Sequence, residues 1–279
     1  MKLEDLKGIN LFLFDMDGTL YLGDRLYDFT KELLATIKSQ GKRYLFMTNN
    51  SSKSVEDYII KLSKLGIEAE YSDFITSSQA TAVYLKDTCP NDKLYVCGTE
   101  SLKQELRQNG FTVTENSDDV DCIVMGNDTE LTFKKLDDVS RLLSMRELRY
   151  IATNPDYVCP TEYGSVPDCG SVCDMIFNAT GKRPLFIGKP EPLMPQIAMK
   201  MTGFKPQETA VVGDRIYTDI KSGINAGCVT VLVLSGETTP EILEKSQDKP
   251  DFFLDSGADL LKAILLLFSF VPKILRYFF

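Results

Sequence analysis

Two aspartates stand one residue apart at the end of an apolar run, in the segment NLFLFDMDGTLYLGD at residues 10–24. If the chain stays extended there, the side chains of Asp15 and Asp17 point to the same side. One carboxylate could then attack a phosphorus atom, since aspartate is a known nucleophile in phosphoryl transfer, while the other protonates the leaving oxygen. Gly18 permits a tight turn directly after the pair. The alternative interpretation is a surface turn, because Asp and Gly are common turn residues.

Three further polar segments follow short apolar stretches, and each could alone be a helix cap, a loop or a strand–helix junction. Together they fit one site, because ligands of an open parallel sheet bind at the carboxyl ends of its strands. The segments are TNN (48–50), GKP (188–190) and GDRIYTD (213–219). In this interpretation Thr48 and the amides of Asn49 and Asn50 hold phosphoryl oxygens, and Lys189 offsets the developing negative charge.

Crowded carboxylates require a cation, and the chain contains no histidine that could ligate one. Oxygen ligands alone favour Mg²⁺, which also binds the substrate phosphate directly. Asp214 is predicted to be a metal ligand beside Asp15. Asp219 is predicted to be a second ligand or to support the ligands from behind.

The elements that must position these residues alternate between apolar strands and helices. This rhythm occurs in the N-terminal part and returns after residue 183, which predicts a parallel sheet covered by helices on both faces. The strand PLFIGKP, at residues 184–190, is assigned to this sheet. The intervening part has strands and helices of its own, and residues 154–171 are interpreted as a Pro- and Gly-rich loop. The prediction is therefore an α/β core of residues 1–82 and 183–279, with an inserted domain of residues 83–182.

Composition narrows the class of protein. The formal net charge of −9 over 279 residues argues against nucleic acid as a partner. Seven cysteines without a CxxC pair, in a chain without histidine, argue against a zinc or haem site, and thiols without a signal peptide predict a cytoplasmic location. The apolar tail of residues 259–279 contains too short an uninterrupted apolar run to span a membrane. It is predicted to be a terminal helix docked on the core, with a membrane-surface anchor as the alternative.

The four motifs DMDGT, TNN, GKP and GDRIYTD, in this order, resemble those of the haloacid dehalogenase superfamily. The spacing of the motifs and the position of the mid-chain insertion resemble those of the subfamily that includes NagD and the 4-nitrophenyl, phosphoglycolate and pyridoxal phosphatases. TNNSSKS, ATNPD and GKPEP add to the resemblance, which covers residues 8 to about 257. It implies a Rossmann-like parallel sheet with an inserted α/β cap of the C2 type.

The resemblance also implies roles for single residues. Asp15 would be the nucleophile and Asp17 the general acid and base. The Asp15 side chain, the Asp17 main-chain carbonyl and Asp214 would bind Mg²⁺. Thr48 and Lys189 would hold the phosphate, with Asn49 and Asn50 beside it. The second aspartate, absent from the dehalogenases, favours a phosphatase.

One residue departs from the pattern of the family. In SVPDCGS, residues 165–171, Asp168 stands where the resemblance leads us to expect glycine. Asp168 is interpreted as tolerated surface variation, with a change of substrate choice as the alternative.

These observations predict a Mg²⁺-dependent phosphatase that acts on a small phosphorylated metabolite of the nucleotide, sugar or polyol phosphate, phosphoglycolate or pyridoxal phosphate class. The resemblance further suggests a homodimer formed through the caps. Two alternatives stay open: a phosphate-sensing protein without turnover, and a peripheral membrane phosphatase that uses the C-terminal tail.

Overall fold

The computed structural model describes residues 3–116, 118–161 and 163–269, and the chain forms two compact units. The first unit is Met1–Phe46 together with Met199–Phe279, and the second is Met47–Ala198. The domain boundaries expected at residues 82/83 and 182/183 stay a prediction.

The helices and strands follow one another in an alternating order. The elements up to residue 88 are β1 (Leu11–Phe14), β2 (Tyr21–Leu22), β3 (Arg25–Leu26), α1 (Thr30–Ser39), β4 (Arg43–Thr48), α2 (Val55–Lys64), β5 (Phe74–Thr76) and α3 (Ser77–Thr88). The next are β6 (Lys93–Cys97), α4 (Glu100–Gln108), β7 (Thr112–Val113), β8 (Cys122–Met125), α5 (Phe133–Met145), β9 (Arg149–Ala152), β10 (Val158–Thr161), β11 (Gly164–Pro167) and α6 (Cys169–Thr180). The last are β12 (Leu185–Phe186), α7 (Leu193–Thr202), β13 (Thr209–Gly213), a π-helix (Ile216–Ile220), α8 (Lys221–Ala226), β14 (Val229–Val233), α9 (Pro240–Lys245), β15 (Phe252–Leu254) and α10 (Gly257–Ser269). Short 3₁₀-helices occupy Leu3–Gly8, Tyr71–Asp73 and Pro206–Glu208.

The first unit contains a parallel sheet in the order β15-β14-β13-β1-β4. Its strand β1, which has a neighbour on each side, is buried along its whole length, as expected for a strand with helices on both faces. β1 pairs with β13 on one side, with Phe14 opposite Val212, and with β4 on the other, with Phe14 opposite Phe46. The chain leaves β1 towards one edge and returns to β13 on the other, so β1 lies where the strand order reverses. The predicted α/β fold class is confirmed.

The second unit contains a parallel sheet in the order β12-β9-β8-β6-β7. This sheet corrects the assignment of the strand in PLFIGKP. Leu185 of β12 pairs with Ile151 of β9, and Gly188 N donates to Thr153 O, so the strand that precedes Lys189 does not belong to the sheet of β1. The apolar pattern identified a strand correctly, but only two of its residues pair, and such a pattern carries no information about the neighbouring strand.

The stretch interpreted as a loop contains a hairpin, which is a second correction. β10 and β11 pair in antiparallel fashion, with Cys159 opposite Val166. Pro160 and Pro167 lie within these strands, and proline is tolerated there because a two-stranded ribbon consists of edge strands.

The C-terminal helix α10 packs against α1 and the first 3₁₀-helix of the first unit. Leu260, Leu261, Ala263 and Ile264 are buried in this contact. The docked terminal helix is therefore confirmed for the part of the tail up to Ser269. Residues 270–279, on which the membrane-anchor alternative depends, lie outside the described residues. Among the described helices, none has the length and apolar character that crossing a membrane requires.

Candidate active site

The first pair of aspartates follows β1 directly. Asp15 N donates to Val212 O, which continues the parallel ladder by one residue beyond β1. Asp15 is half-buried and Asp17 is exposed, whereas Met16 between them is buried. This alternation is the one expected of an extended segment, so the two carboxylates share a side. The chain then turns sharply at Gly18, whose φ is +88° and whose N–H donates to Tyr21 O.

Three carboxylates of the first unit converge. Asp15, Asp214 and Asp219 each offer a ligand oxygen, and these oxygens lie within 4.8 Å of one another. Asp214 and Asp219 are buried. Buried like charges repel each other unless a cation or hydrogen bonds compensate them, so this donor set fits a hard divalent cation such as Mg²⁺.

The Asp214 carboxylate is held closely by its neighbours. Its Oδ1 accepts from Thr19 Oγ1 at 3.3 Å, and its Oδ2 accepts from the main-chain N–H of Glu237 at 2.7 Å. A Cβ atom at Gly18 would lie 2.6 Å from Asp214 Oδ2, and one at Gly236 would overlap the same oxygen. Two glycines are therefore required so that the backbone can approach Asp214 from both directions.

The loop that contains Gly236 is fixed in turn by side chains of the first unit. The Glu237 carboxylate accepts from Arg215 Nε at 2.8 Å and from Tyr217 Oη at 2.8 Å. Tyr27 Oη donates to Ser235 O at 2.9 Å. Burial, and then the negative charges of Asp214 and Asp17, raise the pKa of Tyr27. Tyr27 therefore stays a neutral donor beside the acidic cluster.

Asp219 belongs to the π-helix that follows β13. Its Oδ2 accepts from Arg215 N at 3.0 Å, and Lys221 N donates to Ile216 O, five residues back. Gly213 has no room for a side chain, because a Cβ there would overlap the Asp219 side chain. π-turns within helices occur frequently at functional sites.

The predicted phosphate-binding segment begins at the last residue of β4 and belongs to the second unit. Thr48 is buried, and its Oγ1 accepts from Asn50 N at 3.2 Å. Asn50 Oδ1 accepts from Ser52 N and Ser52 Oγ. These local bonds fix the turn at Thr48–Asn50. The assigned roles of Thr48 and Asn50 towards a phosphate stay a prediction.

Asn49 and Lys189 are brought together by two hydrogen bonds. Lys189 N donates to Asn49 Oδ1 at 2.8 Å, and Asn49 Nδ2 donates to Lys189 O at 2.8 Å. Gly188 has no room for a side chain, since a Cβ would lie 2.6 Å from Asn49 Oδ1 and from Thr153 O. Lys189 is 2% exposed, and its Nζ donates to Met47 O at 3.3 Å. The lysine of the GKP motif is thus fixed at its main chain by the asparagine of the TNN motif.

Asp168 is not a tolerated surface residue, so that interpretation is wrong. It is 4% exposed and caps the N-terminus of α6, where its Oδ1 accepts from Cys169 N. Asn127 Nδ2 and Asn154 Nδ2 also donate to its carboxylate, each at 3.1 Å. These three donors stabilise the buried carboxylate, which would strongly destabilise the fold without them.

Several residues around these motifs were not predicted from the sequence. They are Thr19, Gly236 and Glu237 in the first unit and Asn127, Asn154 and Asp156 in the second. Asn154 and Asp156 belong to ATNPD, which contributed to the resemblance without an assigned role. For Glu237 no spacing signal exists, because its contribution to the Asp214 site is a main-chain N–H.

Comparisons with protein families match the chain over most of its length. Residues 12–112 match the model described as haloacid dehalogenase-like hydrolase, and residues 186–260 match a second model described as HAD-hydrolase-like.

Individual proteins are similar over nearly the whole chain. The 5′-nucleotidase YutF of Bacillus subtilis is 37% identical over 88% of this chain and 94% of its own length. An acid sugar phosphatase of Staphylococcus aureus is 35% identical over 93% of this chain and 98% of its own. The crystal structure of a 4-nitrophenylphosphatase from Thermotoga maritima is 40% identical and superimposes with a TM-score of 0.89, covering 95% of this chain and 100% of that one.

Proposed function

Because the chain belongs to the haloacid dehalogenase-like hydrolases and is a phosphatase of the NagD and 4-nitrophenylphosphatase type, we propose that it hydrolyses small phosphate monoesters with Mg²⁺ through an aspartyl-phosphate on Asp15. The observation that carries this proposal is the convergence of the Asp15, Asp214 and Asp219 carboxylates. A metal-supported nucleophile needs such a cluster, whereas a turn rich in aspartate does not.

In the first half of the reaction, a carboxylate oxygen of Asp15 forms a bond to phosphorus while the bond from phosphorus to the ester oxygen breaks. Asp17 gives its proton to the departing oxygen, which leaves as an alcohol. In the second half, a water attacks the phosphorus and transfers a proton to Asp17, and the bond between phosphorus and Asp15 breaks. Asp17 is suited to both proton transfers, because it is exposed and lies two residues from the nucleophile.

Asp15, Asp214 and the main-chain carbonyl of Asp17 would hold Mg²⁺, and Asp219 could join them or support them. When bound, Mg²⁺ offsets the negative charge of the phosphoryl group and of the carboxylates. The two glycines and the Glu237 N–H that surround Asp214 keep its carboxylate oriented without a metal.

On the phosphate side, Thr48, Asn50 and the Lys189 ammonium would bind phosphoryl oxygens. Lysine is a frequent phosphate ligand because it acts as a compact positive charge. The bonds between Asn49 and the Lys189 main chain hold the lysine backbone before substrate binds.

The proposed substrates are small phosphorylated metabolites of several classes. The similar proteins include a nucleotidase, a sugar phosphatase and a 4-nitrophenylphosphatase, so nucleotides and sugar phosphates are the first candidates. Phosphoglycolate and pyridoxal phosphate complete the panel. Release of inorganic phosphate from each member, compared as kcat/KM, would identify the preferred class.

The test of the mechanism is Asp15→Asn, which keeps the size of the side chain but removes the nucleophile. We expect its kcat for 4-nitrophenyl phosphate to fall at least a thousandfold, on the order of the losses seen when catalytic nucleophiles are removed. EDTA should silence the wild-type enzyme and Mg²⁺ should restore it. Asp5→Asn changes an exposed acid of the N-terminal 3₁₀-helix and is the matched control. Residual turnover near the wild-type rate would refute the assignment of Asp15.

Two further proposals concern the cellular location and the oligomeric state of the enzyme. The cysteines of the described residues form no disulfide, which supports a reducing compartment such as the cytoplasm. Pairing of two chains through the inserted domain is a proposal from the resemblance alone, and light scattering of the purified protein tests it.

A further inference from the structure

The second unit contains a buried chain of hydrogen bonds that the proposed reaction does not use. It connects the main chain of Lys189 with Asp168, the N-cap residue of α6. Its members are Asn49, Asp156, Asn154 and Asp168, each less than a tenth exposed. Such a set of polar side chains is costly to bury unless its members satisfy one another.

The chain begins at the Asn49 amide, whose orientation is fixed by its partners. The Lys189 N–H can only donate, so the atom that faces it must be Asn49 Oδ1. The two hydrogens of Asn49 Nδ2 then go to Lys189 O at 2.8 Å and to Asp156 Oδ2 at 3.1 Å. Asn49 is therefore held by Asp156 while it holds Lys189.

Asn154 extends the chain from one carboxylate to another. Its Oδ1 accepts from Thr153 Oγ1, and its orientation is fixed because the two carboxylates on its other side accept, so the atom that faces them must be Nδ2. Its Nδ2 donates to Asp156 Oδ2 at 3.2 Å and to Asp168 Oδ1 at 3.1 Å. One amide group thus donates a hydrogen bond to each of two buried carboxylates. An apolar side chain at residue 154 could donate neither bond.

Asp168 fixes the far end of the chain to the backbone of the second unit. Its own N–H donates to Tyr157 O, and Gly170 N donates to Asp156 O. A Cβ at Gly170 would overlap Pro155 O, so the start of α6 lies directly on the main chain of residues 155–157. Any shift of Asp168 would therefore move Asp156 both through Asn154 and through the backbone.

We propose that Asp168 is a positioning residue for Lys189, acting through Asn154, Asp156 and Asn49. The inference rests on the proposed role of Lys189 in binding the phosphoryl group. Asp168 touches no substrate in this scheme. It keeps the lysine main chain in the position from which the ammonium reaches a phosphate, and the hydrogen bonds at Asp168 Oδ1 transmit the effect.

The test measures phosphate affinity and turnover in Asn154→Ala, Asp168→Ala and the double variant, with inorganic phosphate as the probe. Asn154→Ala removes the link but leaves the α6 cap in place. We expect each single variant to weaken phosphate binding, by calorimetry with Mg²⁺ present, about tenfold, with a similar loss in kcat/KM for 4-nitrophenyl phosphate. Because the residues act in series, the double variant should match Asn154→Ala rather than multiply the two losses.

Three further measurements separate positioning from folding. The Mg²⁺ concentration for half-maximal activity should stay within twofold of wild type, since the carboxylates proposed to bind the metal belong to the first unit. Asp168→Asn retains an acceptor at the Oδ1 position but would place a donor opposite Asn127 Nδ2, so it should recover part of the lost affinity. Asp138→Ala removes another buried carboxylate of the second unit, one that accepts from Tyr95 Oη and Lys134 Nζ, and should lower the midpoint of urea unfolding without changing phosphate affinity.

The inference is overturned if Asn154→Ala and Asp168→Ala lower only the unfolding midpoint, or if their effects multiply in the double variant. Failure of the proposed function has a different signature. In that case the wild-type protein itself hydrolyses no phosphate ester, while the calorimetric comparison of the variants can still be made.

Discussion

Single residues determine how closely the main chain can approach the acidic cluster. Asp214 is contacted from two directions by backbone that only glycine permits, at Gly18 and Gly236. A side chain at either position must push the carboxylate away or move the loop. If Asp214 binds the proposed Mg²⁺, stability and metal affinity are coupled at these two glycines.

We expect Gly236→Ala to raise the Mg²⁺ concentration for half-maximal activity about tenfold or more, because the new Cβ would overlap Asp214 Oδ2. Titration of activity with Mg²⁺ measures the shift. Gly8→Ala is the control, since nothing lies within 4 Å of a Cβ there. An unchanged Mg²⁺ requirement in Gly236→Ala would contradict a ligand role for Asp214.

Strands were predictable from the sequence where a continuous apolar run is followed by polar residues. The ends of β1, β4 and β13 were predicted because each is a continuous apolar run followed by polar residues, and the structure has strands at all three. α3 was not predicted, because SSQATAVYLKDT lacks a clear apolar period. Its helical conformation is supported by a capping box between Thr76 and Gln79.

Membership of the candidate site was predictable where it depends on a side chain and its position along the chain, as for Asp15 and Asp214, whose carboxylates converge; their roles stay a prediction. It was not predictable where a role depends on pairing or on the main chain. β12 joined the other sheet, and Glu237 acts through its N–H. Asp168 looked like a surface substitution, because a single sequence gives no sign of the two asparagines that bind it from residues 127 and 154.

The contact of α10 with the first unit yields a stability prediction. Leu260 is fully buried in this contact, so Leu260→Ala should lower the free energy of unfolding by about 2–5 kcal/mol. Leu265→Ala, on the exposed side of the same helix, should change it by less than about 0.5 kcal/mol. Urea unfolding of both variants measures the difference. Equal losses would mean that α10 is not docked by this face.

Helix α4 yields a prediction for pH dependence. Burial raises the pKa of Glu105, whose Oε1 accepts from Tyr71 Oη at 3.0 Å and from Asn109 Nδ2 at 3.0 Å. Above this raised pKa the folded state carries an ionised carboxylate that is poorly solvated. The folded state therefore binds a proton more tightly than the unfolded chain does, and it takes up this proton as the pH falls through the raised pKa. Glu105→Gln should therefore be more stable than wild type at pH 7, and the difference should shrink towards pH 4.

Urea unfolding midpoints from pH 4 to pH 8 test the sign of this effect. The exposed Glu68→Gln variant should follow the wild type throughout this range. A Glu105→Gln variant that loses stability at pH 7 would show that the ionised form is favoured in the fold.

The reactivity of the seven cysteines is a measure of how tightly the whole chain is packed. Six are buried and Cys159 is half-buried in the β10–β11 hairpin. Burial raises the pKa of Cys97 and of Cys228 to about 12, so neither is a thiolate at neutral pH. A disulfide reagent should therefore modify one thiol of the native protein rapidly and all seven after unfolding.

Cys159→Ser provides the control for this prediction, because it should remove the rapid phase and leave six slowly reacting thiols. Time-resolved reaction with Ellman's reagent distinguishes the phases. Several rapid thiols in the native enzyme would contradict the burial of the remaining six.

The π-helix at Ile216–Ile220 has a consequence for how the chain could change in length. A π-helix closes its hydrogen bonds over five residues instead of the four of an α-helix, and here the Asp219 carboxylate accepts from the N–H of Arg215, the residue before the π-helix. Deletion of one residue from this turn would allow a regular α-helix and rotate Asp219 away from Asp214. Under the proposed role of Asp219, such a deletion would exchange an acid of the cluster for a regular helix, so stability and turnover would respond to it in opposite directions.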